Sequence, residues 1–224
     1  MKTVAVVPVK RFGASKTRLG PSGGGLSAGT RRAFTEAMIT DVLIALRRTP
    51  QVDVTLVVTG DPAAVALAGG YDALVVDDPD DAGHNPAARI GIREALAEHQ
   101  AERVLLVPGD CPALDPADLA DLLSQGRQGP SVVIVPDRHG DGTNALVLTP
   151  PDVMGPSFGP GSRARHEEGA ATAGAACLVV PAWSLVTDID TPEDLEVLRD
   201  SLGDRPGGAA HVRGLLARLS RFDT

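Results

Sequence analysis

Val104-Leu105-Leu106-Val107-Pro108-Gly109-Asp110-Cys111-Pro112 runs from an apolar stretch straight into a turn that carries an acid. Its four leading residues are apolar throughout rather than alternating, which suits a strand buried on both faces. Strands of that kind belong to parallel or mostly parallel sheets, where ligands bind beyond the carboxyl ends. Asp110 therefore stands where a carboxylate can reach a hard cation such as Mg²⁺, which prefers oxygen ligands and keeps several waters. Gly109 leaves room for a nucleotide beside the backbone. The competing role for Asp110, capping the next helix, is already filled by Asp115 ahead of Pro116.

Working outward, similar short β-branched runs occur at Thr3–Val9, Val52–Thr59, Leu74–Val76, Val132–Val135, Ala145–Leu148 and Cys177–Val180. Between them lie helical patterns at Thr30–Arg48, Pro62–Ala68, Pro86–His99, Pro116–Gln125, Arg163–Glu168 and Pro192–Leu202. Such alternation predicts an α/β fold, a mostly parallel mixed sheet with helices on both faces. Asp137–Thr143 reads as a hairpin or a binding loop. A polar Gly/Pro break follows Leu202, and Val212, Leu215, Leu216 and Leu219 then sit at helical spacing. The expected organisation is one domain over residues 1–202 and a tail over 203–224 carrying a short amphipathic helix.

The 224 residues give room for one full core, and the composition is ordinary for a globular chain. A net charge of −8 makes a general nucleic-acid binder a poor expectation, because phosphate backbones want a basic face. No apolar run approaches membrane length. The N-terminus lacks a signal-peptide layout, and Cys111 and Cys177 make neither a disulfide framework nor a zinc motif. A cytoplasmic location is expected by default, with no nucleic-acid or membrane partner; the chain is expected to be a monomer or a homodimer.

Lysine occurs only at 2, 10 and 16, and two of the three fall in one loop. After the first strand ends at Pro8-Val9, Lys10, Arg11, Lys16 and Arg18 are followed by Gly20 and Gly23-Gly24-Gly25. Glycine lets backbone N–H groups approach phosphate oxygens, and the cations offset their charge. The loop matches neither a Walker A nor a G-x-G-x-x-G pattern. A single carboxylate rarely suffices for a metal, and Thr187-Asp188-Ile189-Asp190-Thr191-Pro192 supplies more. Asp188 is the expected second ligand; Asp190 is expected to orient the loop or the start of the last helix. Asp-x-Asp-Thr also resembles the nucleophile motif of haloacid-dehalogenase-type phosphatases, but it lies near the C-terminal end, where that family has it on its first strand.

Two further loops, Gly140-Asp141-Gly142-Thr143-Asn144 and Ser157-Phe158-Gly159-Pro160-Gly161-Ser162, read as an anion site. The second opens a helix with Ser162 at the N-cap position and with Arg163 and Arg165 adding charge. His166, beside Glu167 and Glu168, is expected on a solvated helix face. Asn85 is either an N-cap or a contact to base or ribose. His84 and His139 read as ordinary loop residues.

In order and spacing, Pro8-Val9-Lys10, Lys16-Thr17-Arg18-Leu19, Pro108-Gly109-Asp110-Cys111-Pro112, Asp141-Gly142-Thr143-Asn144, Phe158-Gly159-Pro160-Gly161-Ser162 and Asp188-Ile189-Asp190-Thr191-Pro192 resemble one family. It is the 2-phospho-L-lactate/phosphoenolpyruvate guanylyltransferases of coenzyme F-420 biosynthesis, and the resemblance spans residues 1–202. It implies a nucleotidyltransferase-like Rossmann fold, with GTP and a phosphorylated three-carbon acid as substrates and Mg²⁺ as cofactor. Carried over by position, Asp110 and Asp188 would hold metal, and Thr143, Gly159 and Ser162 would contact the acid; Pro8, Lys10, Asn85 and Gly109 are the residues expected at the nucleotide. Lys10, Lys16, Arg18 and Asp110 would be the catalytic set. The Gly23-Gly24-Gly25 run and the tail depart from the family pattern. Two alternatives stay open on the residues alone: another nucleotidyltransferase, of the molybdenum-cofactor or cytidylyl type, and a nucleotide-binding module without catalysis.

Overall fold

The computed structural model describes residues 1–14, 16–20, 26–125, 129–186, 188–203 and 208–219. Gly23-Gly24-Gly25 and Thr187, named above, lie outside the described residues. Seven strands form one sheet: β1 Thr3–Pro8, β2 Val54–Thr59, β3 Leu74–Asp77, β4 Arg103–Leu106, β5 Ser131–Pro136, β6 Thr143–Thr149 and β7 Ala176–Val179. Their order is β3-β2-β1-β4-β6-β5-β7. Among the described strands only β6 runs against its neighbours, pairing antiparallel with both β4 and β5. The sheet is thus mostly parallel and mixed, as the sequence predicts.

The reason lies in how the central strands use both of their faces. Val4 and Val6 of β1, Val104 and Leu106 of β4, and Leu146 and Leu148 of β6 pack into one cluster with Ala88 and Ile92. Ala5 and Val7, Leu105 and Val107, and Ala145 and Val147 point the other way, into a cluster with Val42, Leu43 and Leu46. Two apolar faces demand two layers of cover. α1 (Ala28–Arg47), α2 (Pro62–Gly70) and α4 (Pro116–Ser124) lie on one side, and α3 (His84–Ala97) and α5 (Ser162–Thr172) on the other. α6 (Pro192–Gly203) and α7 (Ala210–Leu219) form a third apolar cluster against Phe34 and Met38 of α1.

Helix starts follow the chemistry of the chain. Asp61 and Asp115 each accept the N–H two residues on and are followed by proline. The helix expected at Arg163–Glu168 runs on to Thr172, because Ala170 is buried in the core and Gly169 faces Met154. α7 is tied down by Asp41 of α1, whose carboxylate accepts the N–H groups of His211 and Val212 at 3.1 and 3.0 Å. An anion at a helix N-terminus satisfies otherwise orphaned donors. No described helix is long and apolar enough to cross a membrane.

α3 approaches β1 most closely at Gly91. A Cβ there would lie 2.3 Å from Val6 Cγ1 and 3.0 Å from Val58 Cγ2. Both valines are fully buried on central strands and have nowhere to go. Gly91→Ala is expected to lower the stability by about 1–3 kcal/mol through overpacking, read as a shifted urea midpoint with an unchanged slope.

Candidate active site

The carboxyl ends of β1 and β4 open onto a cleft of about 270 Å³. Pro8 and Lys10 line it from the first loop, Gly109 and Asp110 from the loop after β4, and Lys16 and Asp190 complete it. The loop after β4 and the Asp188–Asp190 segment are joined by backbone, the Ile189 N–H donating to the Asp110 carbonyl at 3.2 Å. Ile189 itself is buried in the α1/α6/α7 cluster. An apolar residue anchored between two acids turns both to one side, as extended spacing requires, Asp190 lining the cleft and Asp188 lying close to Asp110.

Asp110, Asp188 and Asp190 each offer one oxygen, and these oxygens all lie within 4.8 Å of one another. Lys16 bridges the outer two, its ammonium donating to Asp110 at 2.5 Å and to Asp190 at 2.8 Å. Burial alone would lower the Lys16 pKa, but the two carboxylates outweigh it and hold the ammonium charged well above its usual range. Burial, then the charge of Asp110, push Asp188 up to about 6. Burial also disfavours the ionised Asp190, yet Lys16, with help from Arg18 and Lys10, keeps it below the usual carboxylate range. The other Asp110 oxygen, Oδ1, is buried without a hydrogen-bond partner. Three crowded carboxylates, one with an unmatched buried oxygen, are a donor set suited to a hard divalent cation.

The expected division of labour between Asp188 and Asp190 is therefore corrected. Asp190 does not cap the last helix. That task falls to Asp194, whose Oδ2 accepts from the Asp190 and Thr191 N–H groups at 2.9 and 2.7 Å. Thr191 Oγ1 accepts in turn from the Asp194 N–H at 3.3 Å, a reciprocal capping box. Asp190 is left free to face Lys16.

β6 is antiparallel, so its first residue, Thr143, lies at the same edge of the sheet as the ends of β4 and β5. The next residue, Asn144, donates to the Leu185 carbonyl at 2.6 Å and reaches Asp188 at 3.4 Å. Beside Thr143 sits the loop Ser157–Gly161, bent by positive φ at Gly159 (115°) and Gly161 (67°). Gly161 occupies the cap position of α5, and Ser162 is its first helical residue, with Oγ buried and unpartnered. The sequence reading is thus one residue late. The N–H groups at this helix start are also used internally: Gly161 donates to Asp141 Oδ2, Ser162 to the Gly159 carbonyl and Arg163 to the Asp141 carbonyl. Arg163 pairs with Glu167, and Arg165 binds the carbonyls of Ser157 and Pro160. Both arginines brace the loop rather than line an open anion cradle.

His166 is the larger surprise. Instead of lying on a solvated face it is fully buried, between Thr143 Oγ1 at 3.0 Å and the Ser157 N–H at 2.9 Å. Burial and the charge of Arg165 push its pKa down to about 4. Its ring meets Phe158 edge-on at 5.3 Å, and Phe158 meets His84 at 4.7 Å. His84 lines the cleft and heads α3, so a ladder of three rings links the Thr143 loop to the site of the acids. Burial lowers the His84 pKa as well.

Asn85 is not the N-cap of α3. Gly83 is the cap of α3, and both ends of the Asn85 amide are held by Phe158, donating to its carbonyl at 3.1 Å and accepting its N–H at 2.7 Å. Arg18 is exposed on the short 3-10 turn Thr17–Leu19, close enough for its charge to reach Asp190. A methyl group at Gly109 would lie 3.1 Å from Ile39 Cγ1 of α1, so Ile39 would have to shift by a few tenths of an ångström to admit it. Sequence reasoning did not find Thr35, Met38 and Ile39, which line the cleft from α1; they sit in an ordinary helical pattern that announces nothing but a core.

Comparison with known proteins agrees with this architecture. A family model described as "Guanylyl transferase CofC like" matches residues 3–201. A phosphoenolpyruvate guanylyltransferase of Conexibacter woesei is 53% identical, over 99% of this chain and 98% of its own. Among solved structures, a Desulfovibrio desulfuricans protein assigned as a nucleotide-diphospho-sugar transferase superposes with a TM-score of 0.72 at 20% identity, covering 99% of each chain. A nucleotidyl transferase from Methanothermobacter does so with a TM-score of 0.63 at 22% identity, over 89% of this chain and 97% of its own. At such identities the structural likeness shows a shared nucleotidyltransferase-like fold.

Proposed function

The chain belongs to the CofC-like guanylyl transferase family, and on that premise we propose that it transfers GMP from GTP to a phosphorylated three-carbon acid. Phosphoenolpyruvate is the first candidate and 2-phospho-L-lactate the second, with pyrophosphate released, as a step toward coenzyme F-420. The observation that carries this reading is the triad of carboxylates bridged by Lys16 at the rim of a mostly parallel sheet. A site for joining two polyanions must bring negative phosphates together, and this one combines cation ligands with fixed cations.

In the proposed reaction a phosphate oxygen of the acid attacks the α-phosphorus of GTP, and the bond from that phosphorus to pyrophosphate breaks. The nucleophile is already anionic near neutral pH, because the second phosphate pKa is about 6, so no general base is required. Lys10, Lys16 and Arg18 would stabilise the charge developing on the leaving pyrophosphate. Asp110 and Asp188, joined by Asp190, would hold Mg²⁺, which when bound neutralises phosphate charge and orients it. The hydroxyls of Thr143 and Ser162, with the backbone at Gly159, would hold the acid. Asn85 would serve by clamping the Phe158 loop.

Pyrophosphate release from each of the four nucleoside triphosphates, with Mg²⁺ and each of phosphoenolpyruvate, 2-phospho-L-lactate and 3-phosphoglycerate, tests the reading. GTP with one of the acids is expected to exceed the other nucleotides by at least about tenfold, since hydrogen-bond readout of a base discriminates strongly. Preference for CTP, or no release with any acid, would overturn it.

The acids also set a pH dependence. Cation binding needs an ionised Asp188, and burial together with Asp110 has raised that group to about 6. Below that pH a proton must be displaced before the cation enters, whereas above it no proton competes. Mn²⁺ affinity, followed by electron paramagnetic resonance, is expected to be flat above about pH 6.5 and to fall roughly tenfold per unit at lower pH. A flat profile down to pH 5 would remove Asp188 from the ligand set.

A further inference from the structure

We propose that His166 is the positioning residue of the acceptor site, making the Thr143 hydroxyl an outward hydrogen-bond donor and fixing the Ser157–Ser162 loop around the acid. The proposal rests on the reading that Thr143 and Ser162 hold that acid.

Hydrogen-bond bookkeeping at the ring leads to it. A backbone N–H can only donate, so the Ser157 N–H at 2.9 Å requires a lone pair on His166 Nε2. In the neutral ring the proton is then on Nδ1, and Nδ1–H donates to Thr143 Oγ1 at 3.0 Å. Thr143 accepts at its oxygen, so its own proton must point at another acceptor. A threonine hydroxyl is normally free to turn either way; this one has been polarised into a donor, the sense an anionic ligand needs.

The same ring sets the loop. Ser162 and His166 are four residues apart on α5, hence on one face, and both are fully buried. Ser162 Oγ has no partner there. Phe158 packs against the His166 ring and is clamped by Asn85, so the loop is gripped from α3 and from α5 at once. The cluster thus presents one forced donor, one unmatched hydroxyl and a loop whose N–H at Ser157 is already committed. Burial keeps the ring neutral, which this arrangement requires, because a second ring proton would expel the Ser157 N–H.

His166→Phe keeps the ring volume and removes both bonds; His166→Asn retains a donor toward Thr143 and serves if the Phe variant folds poorly. With His166→Phe, KM for the acid is expected to rise at least about tenfold, equivalent to ~1.4 kcal/mol, and KM for GTP to stay within about twofold. Adding Thr143→Val to His166→Phe should cost less than the two single losses multiplied, since the two residues act through one contact. Proton–nitrogen correlation of the histidine rings should show His166 protonated at Nδ1 and bare at Nε2. An unchanged acid KM, a parallel rise in both KM values, strict additivity or the opposite tautomer would each overturn the proposal. If wild type releases no pyrophosphate with any acid, guanylyl transfer falls, and calorimetry with phosphoenolpyruvate decides this inference separately. Binding that is lost in His166→Phe sustains the inference, and equal or absent binding overturns it.

Discussion

Asp110→Asn is expected to lower turnover on the order of a thousandfold, ~4 kcal/mol of transition-state stabilisation, while thermal unfolding stays within a few degrees of wild type. The two halves of this outcome have different causes. The side chain does little for the fold. The turn it sits in is held by backbone, Ile189 N–H to the Asp110 carbonyl and Leu114 N–H to the Cys111 carbonyl, and an isosteric amide leaves both in place. The helix that follows is capped by Asp115. What the carboxylate contributes is charge: it pairs with Lys16, repels Asp188 and carries a buried oxygen with no partner. Removing a like charge from a crowded trio relieves repulsion, which offsets the loss of the pair with Lys16, and Lys16 keeps Asp190. The same removal would deprive the proposed cation of one of three anionic oxygens. Pyrophosphate release at saturating GTP, measured beside the melting curve, separates the effects. Near-normal turnover would sink the role given to Asp110, and a large drop in melting temperature would make it structural.

That prediction was open to sequence reasoning because Asp110 follows a run whose side chains are apolar on both faces. Val104 and Leu106 bury in one layer and Leu105 and Val107 in the other, so four letters announce a central strand and the acid after them announces its rim. Strand direction was less legible. β6 reads like any other apolar run, and only the short Asp137–Gly142 connection, too short for a crossover, signals that it must return antiparallel. The reversal matters, because it carries Thr143 to the edge where Asp110 lies. Contacts between distant segments were legible only in part: Asp188 could be paired with Asp110, but other partners could not. Lys16 and Asp190 are 174 positions apart, and His166 meets Thr143 across 23. Locally, Asp190 looks like the start of a helix and His166 like a polar face beside two glutamates. Each was misjudged because a nearby role was chemically available and the distant partner that claims the side chain exists only in the fold.

Asp190 and Asp194 make that lesson measurable as a crossed pair. Asp190→Asn is expected to reduce turnover by about a hundredfold with little change in stability. Its carboxylate supplies one oxygen of the proposed cation-binding trio and the ion pair with Lys16 at 2.8 Å, yet it is about half exposed, at 46%, and holds no backbone group among the described residues. Lys16 keeps its pair with Asp110 when this charge is removed, so the loss should register in chemistry more than in stability. Asp194→Asn should do the reverse. That carboxylate is only 8% exposed, pairs with Arg138 at 2.8 Å and accepts the Asp190 N–H, the Thr191 N–H and the Thr191 hydroxyl. An amide there loses the charge opposite Arg138 and one of two accepting oxygens, a cost of about 3 kcal/mol, visible as a lowered urea midpoint. Some turnover would follow, since Asp194 holds the backbone of Asp190, but less than the direct substitution removes. If Asp190 were a cap after all, the pattern would invert: its asparagine variant would melt early and turn over normally. The two melting curves and two rates, taken on one preparation of each variant, decide between a carboxylate that builds the helix and one the helix exists to aim.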